Sequence, residues 1–342
     1  TYTISGVTID GVATPATPVD DLGVLNGTVV IAPGETTGTF TITPSDDGTT
    51  EGFEAFKVTL LNADLSAGPV TGNILIQDPA NAGQSFTLTP SVDEFEGGAG
   101  NDTFRANVEY LTQDSARQDT PGTSNTWTSL DDLDGGDGAD TLFIKDLSVT
   151  GEEGIVLAKG TIKDIETFNI QSVFNIGADN ANTALDVSAV EGLTTVNTTK
   201  SVDVDLIAAD TTDVNVAGAT GAITVEGGKN VSVTDATAAK AITVGDGAAA
   251  GDAVGTITIT DTDNSGANTI TVEGGTDVTV VATAEASPTG TIDVGDATNG
   301  TASGDVSVTQ NLNSDGSAAV AGGDINVVGG ETVTVTVNST IT

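Results

Sequence analysis

The sequence predicts an all-β protein: an incomplete Ig-like β-sandwich at the N-terminus followed by a parallel β-helix, or β-solenoid. Three observations predict it. Val and Ile alternate with Thr through most of the 342 residues, the pattern of half-buried strands. No aromatic residue follows Phe174, so a two-sheet core there would lack its bulkiest filler. A sheet coiled on itself can fill a narrow core with Val, Ile and Ala instead. Finally, AITVEGGKNVSV (222–233), TITVEGGTDVTV (269–280) and DINVVGGETVTV (324–335) are near-copies, the self-similarity of stacked repeats.

Segment 1–78 accounts for the sandwich. Alternating runs at 1–5, 27–31, 39–43, 55–61 and 72–77 are separated by the turn sequences APGE, PSDDG and NADLSAG. The stretch LNGTVVIAPGETTGTFTITPSDDGTTEGFEAFKVTLLNA resembles the second half of a Calx-β-type module. Its loop is Asp46, Asp47, Gly48, Glu51, Gly52, Glu54 and Phe56. The resemblance implies that Asp46, Asp47, Glu51 and Glu54 help bind calcium at one end of the sandwich. The module's first strand is missing, so another strand is expected to complete its sheet.

Segment 79–176 carries the strongest chemical signal. Gly97-Gly98-Ala99-Gly100-Asn101-Asp102 and Gly135-Gly136-Asp137-Gly138-Ala139-Asp140 both match G-G-x-G-x-D. Glycines let a tight turn aim carbonyl oxygens inward, and the Asp adds a carboxylate. Such an all-oxygen set suits a hard cation, Ca²⁺ above all. The candidate ligands are Gly98, Gly100 and Asp102 in the first turn and Gly136, Gly138 and Asp140 in the second. Asp93, Asp132, Asp134 or Asp137 could complete each site, or the two turns could meet in space. These turns resemble the RTX nonapeptide repeat, except that 38 residues separate the copies. Residues 112–129 read as a long polar loop, with Asn107–Gln113 its best candidate for a helical turn.

Segment 177–342 is the Val/Thr-rich solenoid, expected to make roughly seven coils of about 20–25 residues. Asp261-Thr262-Asp263-Asn264-Ser265-Gly266 and Asn311–Gly316 read as corners of those coils, and so do Asp246 and Asp296. The first resembles half of a calcium loop but lacks the closing Glu.

Composition narrows the function. Nine Lys and Arg stand against 49 Asp and Glu, a net charge of −40. Nucleic acid is excluded as a partner on charge, and an anionic membrane surface would repel the chain. No run approaches the roughly 20 apolar residues of a membrane-spanning helix. Absence of Cys removes disulfides and thiolate chemistry, and absence of His removes the usual general base. The opening TYTISGVTID has no leader-like character and is expected to be an internal or processed start. Catalysis is not expected, because no Arg follows Arg117 and no basic residue follows Lys240. A polysaccharide-lyase site on the repeats would lack its cation.

The order of a Calx-β-like module, then FTLTPSVDEFEGGAGNDTF and LDDLDGGDGADTLFI, then ITVEGGxxVTV repeats, resembles the RTX-type surface-layer proteins of Gram-negative bacteria and the large RTX adhesins. That resemblance implies export by type I secretion, calcium-triggered folding outside the cell and self-assembly into a surface lattice or sheath. Cell-surface polysaccharide is a further candidate partner. The alternatives are the stalk of an adhesin and, ranked below it, a carbohydrate-active β-helix enzyme.

Overall fold

The computed structural model describes residues 2–8, 14–15, 22, 26–30, 38–42, 54–60, 70–76, 83–109, 125–128, 130–148, 154–155, 160–177, 184–235, 240–245, 251–266, 268–285, 289–314, 316 and 319–341. Described elements are all strands. They group into two compact units: residues 1–85 with the turn segments Glu96–Thr103 and Gly135–Asp140, and the remaining residues from Phe86 to Thr342.

In the first unit, β1 (Tyr2–Gly6), β2 (Thr14–Pro15), β3 (Asn26–Gly27), β4 (Glu54–Leu60) and β5 (Val70–Ile76) form one five-stranded sheet. β1 and β5 flank β4, both antiparallel to it. Tyr2, Ile4, Leu22, Phe56 and Val58 are the buried cluster, and the Tyr2 ring stacks on Phe40 at 4.2 Å. The described residues of the expected runs at 1–5, 55–61 and 72–77 are therefore in strands. Of the described residues in the 27–31 run only Gly27 is in one, and those of the 39–43 run are not. A second sheet facing this one is not present among the described residues.

The second unit is a stack of coils. Each coil contributes one strand to an eleven-stranded parallel sheet: β6 (Ser85–Thr87), β8 (Thr103–Val108), β10 (Thr141–Asp146), β12 (Thr167–Gln171), β14 (Thr195–Thr199), β16 (Asp213–Ala217), β18 (Val231–Asp235), β20 (Ile257–Asp261), β22 (Val278–Ala284), β24 (Val306–Ser314) and β26 (Val333–Ile341). The intervening strands form two further parallel sheets. One holds β7 (Glu94–Glu96), β9 (Asp132–Asp134) and β11 (Thr161–Lys163). The other runs from β13 (Leu185–Asp186) through β15 (Val204–Ala208), β17 (Ile223–Gly227), β19 (Ile242–Val244), β21 (Ile270–Val272) and β23 (Ile292–Val294) to β25 (Ile325–Val327). The large sheet continues without a break across the expected boundary at 176/177. From β14 to β26 it takes seven strands, one for each coil expected in the C-terminal segment.

Parallel register stacks like on like. Val214, Val231, Ile257, Val278 and Val306 form one inward row, and Ile223, Ile242, Ile270 and Ile292 form another. All are essentially inaccessible to water, and burial of each such side chain favours folding by roughly 1.5–3 kcal/mol. The Gly-Gly pairs of the repeats end the strands of the seven-stranded sheet. Gly227 and Gly228 have φ of +72° and +93°, and Gly274 and Gly275 have +74° and +82°, a backbone that turns a corner at little cost only without a β-carbon.

Two local expectations are corrected. Asn107 and Val108 belong to β8 rather than to a helix, because the alternation Phe104, Ala106, Val108 carries inward burial through the end of the run. Residues 110–124 lie outside the described set. Asn311–Ser314 are not a corner but the end of the nine-residue β24, where Gln310, Leu312 and Ser314 continue the buried alternation.

Candidate functional site: the stacked glycine turns

The topology dictates where the two hexamers meet. Gly97–Asp102 connects β7 to β8, and Gly135–Asp140 connects β9 to β10. β7 neighbours β9 in one sheet and β8 neighbours β10 in another, so the two connecting turns must lie one over the other. They do so in a 38-residue register. The Asp137 N–H donates to the Gly98 carbonyl at 2.7 Å, the Ala139 N–H to Asn101 Oδ1 at 3.0 Å, and the Asp102 N–H to Asp140 Oδ1 at 2.6 Å. The wide spacing that sets these copies apart from a tandem repeat is thus the length of chain from one strand of the sheet to its neighbour.

Glycine is required where the turns touch. A methyl group at Gly136 (φ +81°) would stand 2.1 Å from the Gly98 carbonyl oxygen, and one at Gly138 would stand 2.3 Å from that of Gly100. The two main chains approach as closely as they do only because those β-carbons are missing.

Asp102 is the centre of the arrangement. Its side chain is buried, and its Oδ1 accepts the N–H of Gln84. Its Oδ2 is buried with no hydrogen-bond partner. A β-carbon at Gly97 would lie 2.2 Å from that oxygen and 2.3 Å from the Gly135 carbonyl oxygen, so both oxygens converge on the cradle that Gly97 leaves open. Burial pushes the Asp102 carboxyl above the ordinary range, partly offset by the bond from Gln84. A buried carboxylate oxygen without a donor costs free energy unless a cation or proton meets it. Gln84, Gly97, Asp102, Gly135 and Asp140 all belong to the first compact unit.

The other candidates have different surroundings. Asp93 accepts the N–H and hydroxyl of Thr89 at 2.6 and 2.9 Å. Asp131 does the same for Thr128 and also accepts the Asp93 N–H. These two carboxylates cap the bends that lead into the turns. Asp132 is exposed, and its N–H donates to the Asp93 carbonyl at 2.8 Å. Asp134 forms an ion pair with Lys163. Asp137 lies exposed at the tip of the second turn. Glu54 is buried on β4, while Asp46, Asp47 and Glu51 lie outside the described residues. Gln84, Gly97, Asp131 and Gly135 are additions to the expected set. The matching TPSVD and TSLD runs ahead of the two hexamers are the signal for Asp131.

Among the described residues no three acidic side chains come together as a metal-binding cluster. What the turns offer instead is a buried Asp102 carboxylate oxygen facing a main-chain carbonyl oxygen, beside the buried carboxylate of Asp140. That donor set fits a hard cation such as Ca²⁺ and no soft metal. Two of the solenoid corners differ in this respect. Asp261 accepts the Asp263 N–H and an Asn264 amide hydrogen, and Asp296 accepts the N–H groups of Thr298 and Asn299. These carboxylates close their own turns; Asp246 is not among the described residues. Comparison with protein-family models and with curated proteins finds no match to this chain.

Proposed function

We propose that this chain is a calcium-binding structural protein, exported to the surface of a Gram-negative cell, that self-assembles into a surface layer or sheath. The observation that carries the reading is the stacking of the two G-G-x-G-x-D turns around the unpartnered Asp102 Oδ2. Asp102 with the Gly135 carbonyl would hold the ion, and Gly98, Gly100, Gly136, Gly138 and Asp140 shape the stack around it. Bound calcium neutralises the buried charge and, by favouring the folded state alone, stabilises it by mass action. Sites of this extracellular kind are weak, roughly 10⁻⁴–10⁻³ M, which suits a chain that stays unfolded during export and orders outside. A charge of −40 keeps separate molecules apart until cations bridge them. The residue inventory supports a structural role over a catalytic one.

The uninterrupted eleven-stranded stack also favours a second reading, the spacer region of an adhesin. Electron microscopy and small-angle scattering in calcium and in EGTA separate the two. A lattice protein forms sheets or filaments that disperse on chelation. A spacer stays monomeric in both conditions. Identical spectra, melting and association with and without calcium would overturn the calcium reading itself.

A further inference from the structure

We propose that the outer face of the eleven-stranded sheet carries a binding groove for a carboxylate-bearing oligosaccharide, with Arg105 and Lys145 as its cationic contacts. This site is separate from the glycine turns and does not depend on them. The groove is a cavity of about 520 Å³ across β8, β10, β12 and β14, within the roughly 300–1,000 Å³ of ordinary ligand sites.

Parallel register builds it from two outward columns. Phe143, Asn169 and Asn197 form one, which Asn215 continues beyond the groove, and Lys145, Gln171 and Thr199 form the other. The asparagines are a polarised ladder. Asn215 Nδ2 donates to Asn197 Oδ1 and Asn197 Nδ2 to Asn169 Oδ1, both at 2.9 Å. At the next position Phe143 replaces asparagine and offers no acceptor. The Asn169 amide hydrogens therefore have no acceptor among the described residues, and Asn169 lines the groove. The Arg105 guanidinium lies 4.9 Å from the centre of the Phe143 ring, which orients its fork while leaving its hydrogens available.

Charge selects the occupant. In a protein where carboxylates exceed cations by 40, no described residue lining this groove is Asp or Glu. Among the described residues neither Arg105 nor Lys145 has a carboxylate partner, in contrast to Lys163, which pairs with Asp134. Two unpaired cations on neighbouring coils suit a carboxylate. Side-chain amides, each both donor and acceptor, suit sugar hydroxyls, and the exposed part of Phe143 suits the apolar face of a pyranose ring. The surrounding negative field disfavours long polyanions, so the fitting ligand is short or presents its acid at an end.

The test uses the full chain in calcium buffer with sialyllactose, a galacturonate disaccharide and a glucuronate-containing disaccharide, each against its uncharged counterpart. Binding is followed by calorimetry and by the NMR shift of the Asn169 side-chain amide. At least one acidic saccharide is expected to shift that signal and to bind more tightly than its neutral form. Arg105→Gln and Lys145→Gln should each weaken binding by about tenfold, the scale of one charge-assisted hydrogen bond. Lys229→Gln, at an exposed position elsewhere on the stack, should leave it unchanged. Circular dichroism confirms that all three variants fold. The proposal is overturned if no acidic saccharide binds, if neutral forms bind equally, or if both groove variants bind as the parent does. It is equally overturned if those variants abolish self-association while no saccharide binds, since the groove would then take carboxylates of a second copy.

Discussion

The glycine-turn stack and the Val/Thr coils are held together by different chemistry. In the coils from β16 to β24 the inward rows are Val and Ile, and corner carboxylates such as Asp261 and Asp296 find donors in their own turns. In the turn stack the close main-chain approach leaves Asp102 Oδ2 buried without a donor. The first arrangement supplies the donors for these two carboxylates from the polypeptide itself, although Asn264 Oδ1 and Gln310 Nε2 remain buried without a partner. The second leaves a buried carboxylate oxygen for which a cation from solution is the proposed partner. On the proposed calcium reading, the ion would matter at the glycine turns and not along the Val/Thr coils.

The largest effect that tests this contrast is removal of a core side chain from the repeats. Ile259 is fully buried between Val233 and Val280 of the neighbouring coils. Ile259→Ala is expected to destabilise the protein by about 2–5 kcal/mol. Chemical denaturation should give a loss of the same size in calcium and in EGTA. A loss confined to one condition would show that the repeats and the metal act through a single cooperative unit.

Asp102→Asn comes next and should change sign with conditions. In calcium it removes the carboxylate that draws the cation, and the stabilisation lost is up to about 2.7 kcal/mol if calcium is present at 100 times its dissociation constant. In EGTA the same change removes a buried charge while Oδ1 still accepts from Gln84, so the variant should melt at or above the parent. Equal melting of parent and variant in calcium would mean that the ion, if bound, sits elsewhere.

Much of this contrast is legible in the amino-acid sequence, and the part that is not has physical causes. The period-two alternation locates the strands of the repeats, because an inward row of Val and Ile leaves no other register. The hexamers are visible too, but their contact is not. Sequence distance between them measures the length of chain from one strand of the sheet to its neighbour, and nothing local says that the chain returns to the same corner. The caps escape for a related reason: Thr89 precedes Asp93 by four residues and Thr128 precedes Asp131 by three, so one function has two spacings. A solenoid expected to start near 177 also hides Arg105 and Lys145. The sheet begins at Ser85, which puts both cations on the solenoid face, where the composition of the repeats alone offers none. In the N-terminal sheet, alternation locates β1, β4 and β5 but overstates the 27–31 and 39–43 runs, where alternating residues alone do not supply a pairing partner.

The coils contain their own buried acid, and its pH response sharpens the comparison. Burial raises the Asp261 carboxyl above its ordinary value, against the lowering effect of the bonds from Asp263 and Asn264. The folded state therefore holds this proton more tightly than the unfolded chain. Its contribution to stability is full below the ordinary carboxyl pKa and is lost as pH rises through the raised value. Asp261→Asn keeps an acceptor for the Asp263 N–H and, once the Asn264 amide turns over, can offer a hydrogen to Asn264 Oδ1, which is buried without a partner. The variant is expected to melt above the parent at neutral pH, with the advantage shrinking as the pH falls. It should do so in calcium and in EGTA alike, whereas the Asp102 variant reverses between them.

The smallest expected effect decides where the cation set ends. Lys163 and Asp134 pair across β11 and β9 with side chains 42% and 22% exposed. Hydrogen bonding and charge from Asp134 raise the Lys163 pKa further, but solvent and salt screen such a pair. Lys163→Gln should leave the melting temperature unchanged within error at physiological salt. The sharper measurement is the calcium concentration at the folding midpoint. If Asp134 only balances Lys163, removing the lysine leaves that midpoint where it was. If Asp134 contributes to ion binding, freeing its carboxylate lowers the midpoint, and the site extends from the turn into β9.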